Sequence, residues 1–142
     1  MKENIICSGA LFYSTSTKRF LFLQRTDKKT QGMWGPVGGK SKFTESAFEG
    51  LKREIQEEVG NTPKSKKIIP LEMFTSNDQK FYFHTYLIAI ETEFIPKLNT
   101  EHSGYCWCAF ECWPKNLHMG LKNTLNNKSI KGKLQTILDL IV

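Results

Sequence analysis

Three glutamates, Glu54, Glu57 and Glu58, stand at i, i+3 and i+4 in a segment whose apolar residues Phe48, Leu51, Ile55 and Val59 recur at helical spacing. At about 100° per residue the apolar four make one stripe, and the carboxylates converge on a second face about 110° round the axis. The stripe packs on a core. Three like charges on adjacent turns repel one another, and Arg53 compensates only part of them, most directly Glu57 four residues on. A hard divalent cation that prefers oxygen, Mg²⁺ or Mn²⁺, suits the remainder. The chemistry such a cluster supports is metal-assisted: a bound ion offsets negative charge on a ligand and lowers the pKa of a coordinated water.

The surrounding residues fix where this helix begins and ends. Gly38-Gly39 and a polar loop, Lys40 to Thr44, lead into it. Thr44 is the expected N-cap, with Glu45 in the first turn, where the helix dipole favours a negative charge. Gly60 or Asn61 can take the left-handed C-terminal conformation, and Pro63 bars continuation.

The stretch from Gly39 to Asn61 resembles the signature of the Nudix hydrolases. That signature is a glycine, five residues, a glutamate, seven residues, then Arg-Glu-aliphatic-any-Glu-Glu-any-Gly-aliphatic. Gly39, Glu45, Arg53, Glu54, Ile55, Glu57, Glu58 and Gly60 occupy its positions in order, and Asn61 replaces the final aliphatic residue. From average residue usage, a chance match in a chain of this size is on the order of one in ten million. The Asn61 departure touches the helix stop and leaves the carboxylates alone.

The resemblance implies an α/β/α sandwich and Mg²⁺-dependent (or Mn²⁺-dependent) hydrolysis of a pyrophosphate bond in a nucleoside diphosphate linked to another group, such as ADP-ribose or a dinucleoside polyphosphate. The alternative substrate is an (oxidised) nucleoside triphosphate, as in nucleotide-pool sanitising. A third reading, a non-catalytic nucleotide- or RNA-binding domain, fits less well because every box glutamate is kept. By position in the motif, Glu54, Glu57, Glu58 and the backbone carbonyl of Gly38 would hold the metal, Arg53 would orient the cluster, and Glu45 would support it. The base stays open between a box glutamate, Glu57 or Glu58, and an acid on a downstream loop, for which Glu101 is the candidate. Arg25, after the second strand, and Lys40 would contact phosphate. Trp34, Phe74, Phe83 and Trp107 could stack on a base, although aromatics at strand spacing more often fill a core. His84 reads as a core histidine, and His118 is undecided. Many relatives are homodimers, and the same analogy extends to this chain.

Length and composition set the outer limits. The 142 residues, 39% hydrophobic and 24% charged, suit one domain over 1–142 with a single self-sufficient core. The first residues lack the apolar region of a signal peptide, and no run approaches the roughly 20 apolar residues of a membrane span, so a cytoplasmic enzyme without membrane contact is expected. Cys7, Cys106, Cys108 and Cys112 then read as free thiols. A zinc site built on the last three with His102 or His118 lacks the paired spacing of zinc ribbons. The net charge of +6 comes from short lysine clusters on loop-like segments. It favours polyphosphate substrates and leaves open a nucleic-acid target such as a capped RNA end, whose binding would weaken steeply with salt.

Around the helix the pattern is mostly strand. Ile5–Tyr13, Arg19–Gln24, Ile68–Ser76 (interrupted near Pro70), Gln79–Ile90 and Tyr105–Phe110 read as strands, and a last helix starts at Ser129. In the fourth, Phe81, Phe83, Leu87 and Ala89 face one way and Tyr82, Tyr86, Ile88 and Ile90 the other, the mark of a central strand covered on both sides. The expected class is α+β, with a central mixed sheet between helices.

Overall fold

The computed structural model describes residues 4–141. In chain order the elements are β1 (Ile5–Ser14), β2 (Arg19–Arg25), β3 (Trp34–Gly35), β4 (Val37–Lys40), α1 (Ala47–Val59), β5 (Ser65–Thr75), β6 (Phe81–Ile90), β7 (His102–Ala109), α2 (Met119–Asn126) and α3 (Lys128–Leu140). The strands form one sheet of order β3-β2-β1-β6-β5, with β4 added on β1 and β7 on β2. β1 and β6 run parallel from Ile5–Phe81 to Ser14–Ile90, and the other pairs are antiparallel, so the sheet is mixed.

The central strands are buried on both faces along Ala10–Tyr13 and Leu87–Ile90, where their sequence is apolar without a break. Ala10, Phe12, Ile88 and Ile90 pack with Leu51 and Val59 of α1 on one side. Leu11, Tyr13 and Leu87 pack with Leu121, Leu125 and Leu134 of α2 and α3 on the other. The result is an α/β/α sandwich with one helix on the first face and two on the second.

Several local features differ from the expectations. The cap of α1 is Ser46, not Thr44: Ser46 Oγ accepts from the Glu49 amide at 3.2 Å, and Glu49 Oε1 accepts from the Ser46 amide at 2.9 Å. This reciprocal box satisfies two free amides at once, whereas Thr44 would satisfy one. Glu45 therefore precedes the helix and is free to bind elsewhere. The strands β3 and β4 are additional to the expected ones: β3 pairs with β2, and pairing with β1 from Cys7–Lys40 to Ala10–Val37 holds the glycine-rich β4 extended. β5 spans its proline by a register shift between Pro70 and Glu72. β7 begins at His102, three residues before the expected start, and α2, only eight residues long, shows too little periodicity to be read from sequence.

Candidate active site

The glycine pair brings α1 and the sheet together. A Cβ on Gly38 would collide with the Ser8 carbonyl oxygen, and one on Gly39 would collide with the Glu54 carboxylate, 2.7 Å from its Cδ. With both side chains absent, β4 lies directly under the carboxylate face of the helix. The Gly38 amide donates to Glu58 Oε1 at 2.9 Å, and Glu58 is only 2% exposed. Buried carboxylates are rare unless partnered, so this contact and the charges around it define the floor of the site.

Arg53 ties the rest of the cluster together. Its Nε and Nη2 donate to the two oxygens of Glu45 at 2.8 and 3.0 Å. Its Nη1 donates to Glu54 Oε1 at 2.6 Å and to Glu57 Oε2 at 3.2 Å, and Nη2 also reaches the Lys40 carbonyl at 3.0 Å. The planar guanidinium is the side chain that can serve these directions together. The expectation that Arg53 serves Glu57 first is reversed. Glu57 is the most distant of its three carboxylates, because Glu45, released from the helix by the Ser46 cap, takes the fork.

The opposite wall comes from the end of β2 and the start of β7. A register shift between Gln24 and Arg25 brings Arg25 opposite His102. The Thr26 amide donates to the Glu101 carbonyl at 3.1 Å, and the Glu101 amide donates to Asn99 Oδ1 at 3.0 Å, which fixes the loop entering β7. Glu58, Glu101 and His102 each offer a ligand atom, and these atoms lie within 4.8 Å of one another. His102 is 9% exposed, and its Nδ1 is buried without a hydrogen-bond partner among the described residues. Arg25 Nε donates to Thr30 Oγ1 at 2.8 Å and to Asp27 Oδ1 at 3.1 Å, so its position is set before any ligand arrives.

The electrostatics follow from burial and crowding. Desolvation, opposed by the Gly38 amide and reinforced by Glu54 and Glu101, pushes the Glu58 carboxyl up to about 9. Desolvation also raises Glu54, although Arg53 pulls it the other way. At the outer edge, the Arg53 hydrogen bonds hold Glu45 down at about 2. Burial, helped by the charge of Arg25, lowers the His102 imidazole below its usual value. Arg53 thus answers Glu45, Glu54 and Glu57 but neither Glu58 nor Glu101, Glu54 and Glu58 are destabilised as anions, and a buried nitrogen is unpartnered. A divalent cation satisfies all three conditions, so the donor set fits one.

These groups line a cavity of about 1140 Å³. Gly38, Gly39, Lys40, Glu45, Arg53, Glu54, Glu58, Glu101 and Arg25 are all on its wall, as are Lys42 and His102. Glu57 is not. Its side chain is half exposed, and it reaches the cluster through Arg53 and the neighbouring Glu54 carboxylate. Trp34 is not on the wall either: it packs into the core beneath α2, its amide and carbonyl held by Asn116 and His118, which corrects its assignment to substrate stacking. Trp107 sits against Phe94 in the core beneath α1. Phe83 and the half-exposed Phe74 pair across β5 and β6, away from the cavity wall. His84 is half-buried and stacks on Tyr86, and His118 caps α2. All four thiols are free, and among the described residues no set of three metal-binding groups includes a cysteine. Among the charged wall residues, Asp27 and Lys42 carried no expectation, and His102 was considered only as a zinc ligand. Adjacency to Glu101 was the available signal for its place here.

A family model for the NUDIX domain matches residues 6–127. The chain belongs to the Nudix hydrolase family. No curated protein sequence matches the chain. Among solved structures, a MutT protein from Methanosarcina mazei Go1 superposes with a TM-score of 0.72 at 23% identity, covering 94% of this chain and 97% of that one. An Ap4A hydrolase from C. elegans gives 0.71 at 20% identity, covering 95% and 99%. An ADP-ribose pyrophosphatase from Streptococcus suis 89-1591 gives 0.68 at 16%, covering 92% and 91%. At these identities the likeness is one of fold. Within the Nudix signature, Asn61 is exposed at the end of α1, so the missing aliphatic residue leaves no gap in the core. No helix among the described residues is long and apolar enough to cross a membrane.

Proposed function

We propose that this Nudix domain hydrolyses the pyrophosphate bond of a nucleoside diphosphate linked to a second group, of the ADP-ribose or dinucleoside polyphosphate class, in the presence of Mg²⁺ or Mn²⁺. The observation that carries the reading is the mixture of charge gathered around one cavity. Glu54, Glu58 and Glu101 line it together with Arg25, Lys40 and Lys42. A divalent ion bound to the carboxylates would offset phosphate charge and lower the pKa of a coordinated water. The rest is the work of the chain. Arg53 and the Gly38 amide hold the carboxylates in fixed positions, so that little reorganisation accompanies reaction. Glu101, on the wall facing the box, would take a proton from water, with Glu58 the box candidate for the same task. Lys40, Lys42 and Arg25 present positive charge to the phosphates. The cavity exceeds what pyrophosphate needs and is at the upper end of small-ligand sites, which supports a substrate with groups on both sides of the diphosphate.

A panel of ADP-ribose, diadenosine polyphosphates, NADH, FAD, nucleotide sugars and canonical and 8-oxo triphosphates, incubated with Mg²⁺ and separated by chromatography, tests this reading. The blank is the Glu58→Gln variant. AMP plus a phosphorylated partner supports it and names the second group. Monophosphate plus pyrophosphate from triphosphates alone replaces it with pool sanitising. Absence of any turnover that depends on Glu58 overturns the hydrolytic assignment.

A further inference from the structure

The carboxylates account for oxygen ligation, yet the cluster that the fold assembles across the cavity contains a nitrogen. Glu58 comes from the end of α1, and Glu101 and His102 from the entrance to β7, with one ligand atom of each inside a 4.8 Å set. The surroundings of His102 explain none of this by themselves. Its backbone amide donates to the Asn99 carbonyl at 3.4 Å, and that contact shapes the loop without the ring. The ring is 9% exposed, and Nδ1 is buried with no donor or acceptor among the described residues. A buried polar atom left unpaired costs about 1–3 kcal/mol, and native structures carry few of them. Position adds a second argument, because the ring is on the cavity wall beside two carboxylates.

Resting on the reading of this cavity as a divalent-cation site, we infer that His102 is a metal ligand through a ring nitrogen, together with Glu58 and Glu101, and that it turns the site's preference from Mg²⁺ toward Mn²⁺. Mg²⁺ takes oxygen donors in a tight octahedron and keeps much of its water, so an imidazole contributes little to holding it. First-row divalent ions gain from a nitrogen donor, and the gain grows along the series from Mn²⁺. The box glutamates would then supply general oxygen ligation, and a residue outside the box would set which ion is preferred.

The test uses the whole chain with Mn²⁺ as probe. Electron-spin-echo modulation of the bound ion is recorded for protein grown with natural-abundance histidine, for protein grown with ¹⁵N-histidine, and for His102→Gln. Nitrogen modulation that changes with the label and disappears in the variant is the expected result. Binding isotherms should show Mn²⁺ affinity falling by about 10-fold or more in His102→Gln, with Mg²⁺ affinity changing by less than about 3-fold. Mn²⁺ bound stoichiometrically without nitrogen modulation overturns the inference and leaves the carboxylate site standing. Absence of stoichiometric Mn²⁺ binding overturns both. The labelled wild-type measurement decides the matter even if the variant fails to fold.

Discussion

Replacing Glu58 by glutamine should make the metal-free protein more stable and abolish its turnover. The carboxyl is 2% exposed, and desolvation, together with the charges of Glu54 and Glu101, pushes it up to about 9. An unperturbed glutamate titrates near ~4.3. Between these values the unfolded chain has released a proton that the folded chain keeps, so the free energy of unfolding falls as pH rises. The contribution of the protonated carboxyl is complete below ~4.3 and is lost progressively up to about 9. Each pH unit of separation is worth ~1.36 kcal/mol, which sets a ceiling of ~5 kcal/mol at pH 8. Water admitted by the open cavity screens the carboxylate, and carrying half of the ceiling forward gives about 2–3 kcal/mol. Glutamine is neutral throughout and keeps an oxygen for the Gly38 amide, now 2.9 Å from Oε1. At roughly 3–5 °C per kcal/mol for a domain of this size, Glu58→Gln should melt roughly 6–15 °C above wild type at pH 8 and within about 3 °C of it at pH 5. Thermal melts followed by circular dichroism in EDTA across this range provide the assay. Added Mn²⁺ should raise the melting temperature of wild type and leave the variant unchanged. A gap that does not widen with pH, or a variant that melts below wild type at pH 8, would refute the description of Glu58 as a buried, destabilised carboxylate held for metal.

Arg53→Lys keeps the charge and loses the fork, so kcat/KM should fall by about 100-fold with about 1–3 kcal/mol of stability. Activity within about 3-fold of wild type would show that the guanidinium geometry is dispensable. Gly39→Ala puts a methyl against the Glu54 carboxylate and should weaken Mn²⁺ binding by about 10-fold or more in a calorimetric titration; an unchanged affinity would remove Glu54 from the site. Glu101→Gln should lower kcat by about 10- to 100-fold without moving the melting temperature, since the residue is exposed. An unchanged kcat would exclude Glu101 from proton transfer and leave the task to the box.

Much of the site was legible before any coordinates, because its parts are close in sequence. A helix fixes the relative directions of residues three and four apart, so Glu54 and Glu58 had to share a face, and Arg53 had to be near. The glycine pair was legible for a similar reason: only glycine leaves β4 close enough to Ser8 and Glu54. Periodicity over ten residues likewise showed that β6 is covered on both faces. Where the reading failed, a distant partner had decided the outcome. Trp34 follows the polar loop like a residue that could meet a ligand, but its neighbours are the core beneath α2 and the segment at Asn116–His118. Glu57 fits the motif as well as Glu58 does, yet the tilt of α1 on β4 buries one and leaves the other half exposed.

The sequence by itself determined the family, the carboxylate face of α1 and the sandwich of a mixed sheet between helices, since each is set by spacing along the chain. Only the tertiary structure decided that Glu101 and His102, about forty residues beyond the box, lie beside Glu58. Sequence carries no measure of that distance, which depends on how β7 pairs with β2 and where the register shift at Arg25 falls. Burial was decided there as well: a glutamate and a histidine acquire their altered proton affinities from the atoms packed around them, and those atoms come from strands far away in the chain.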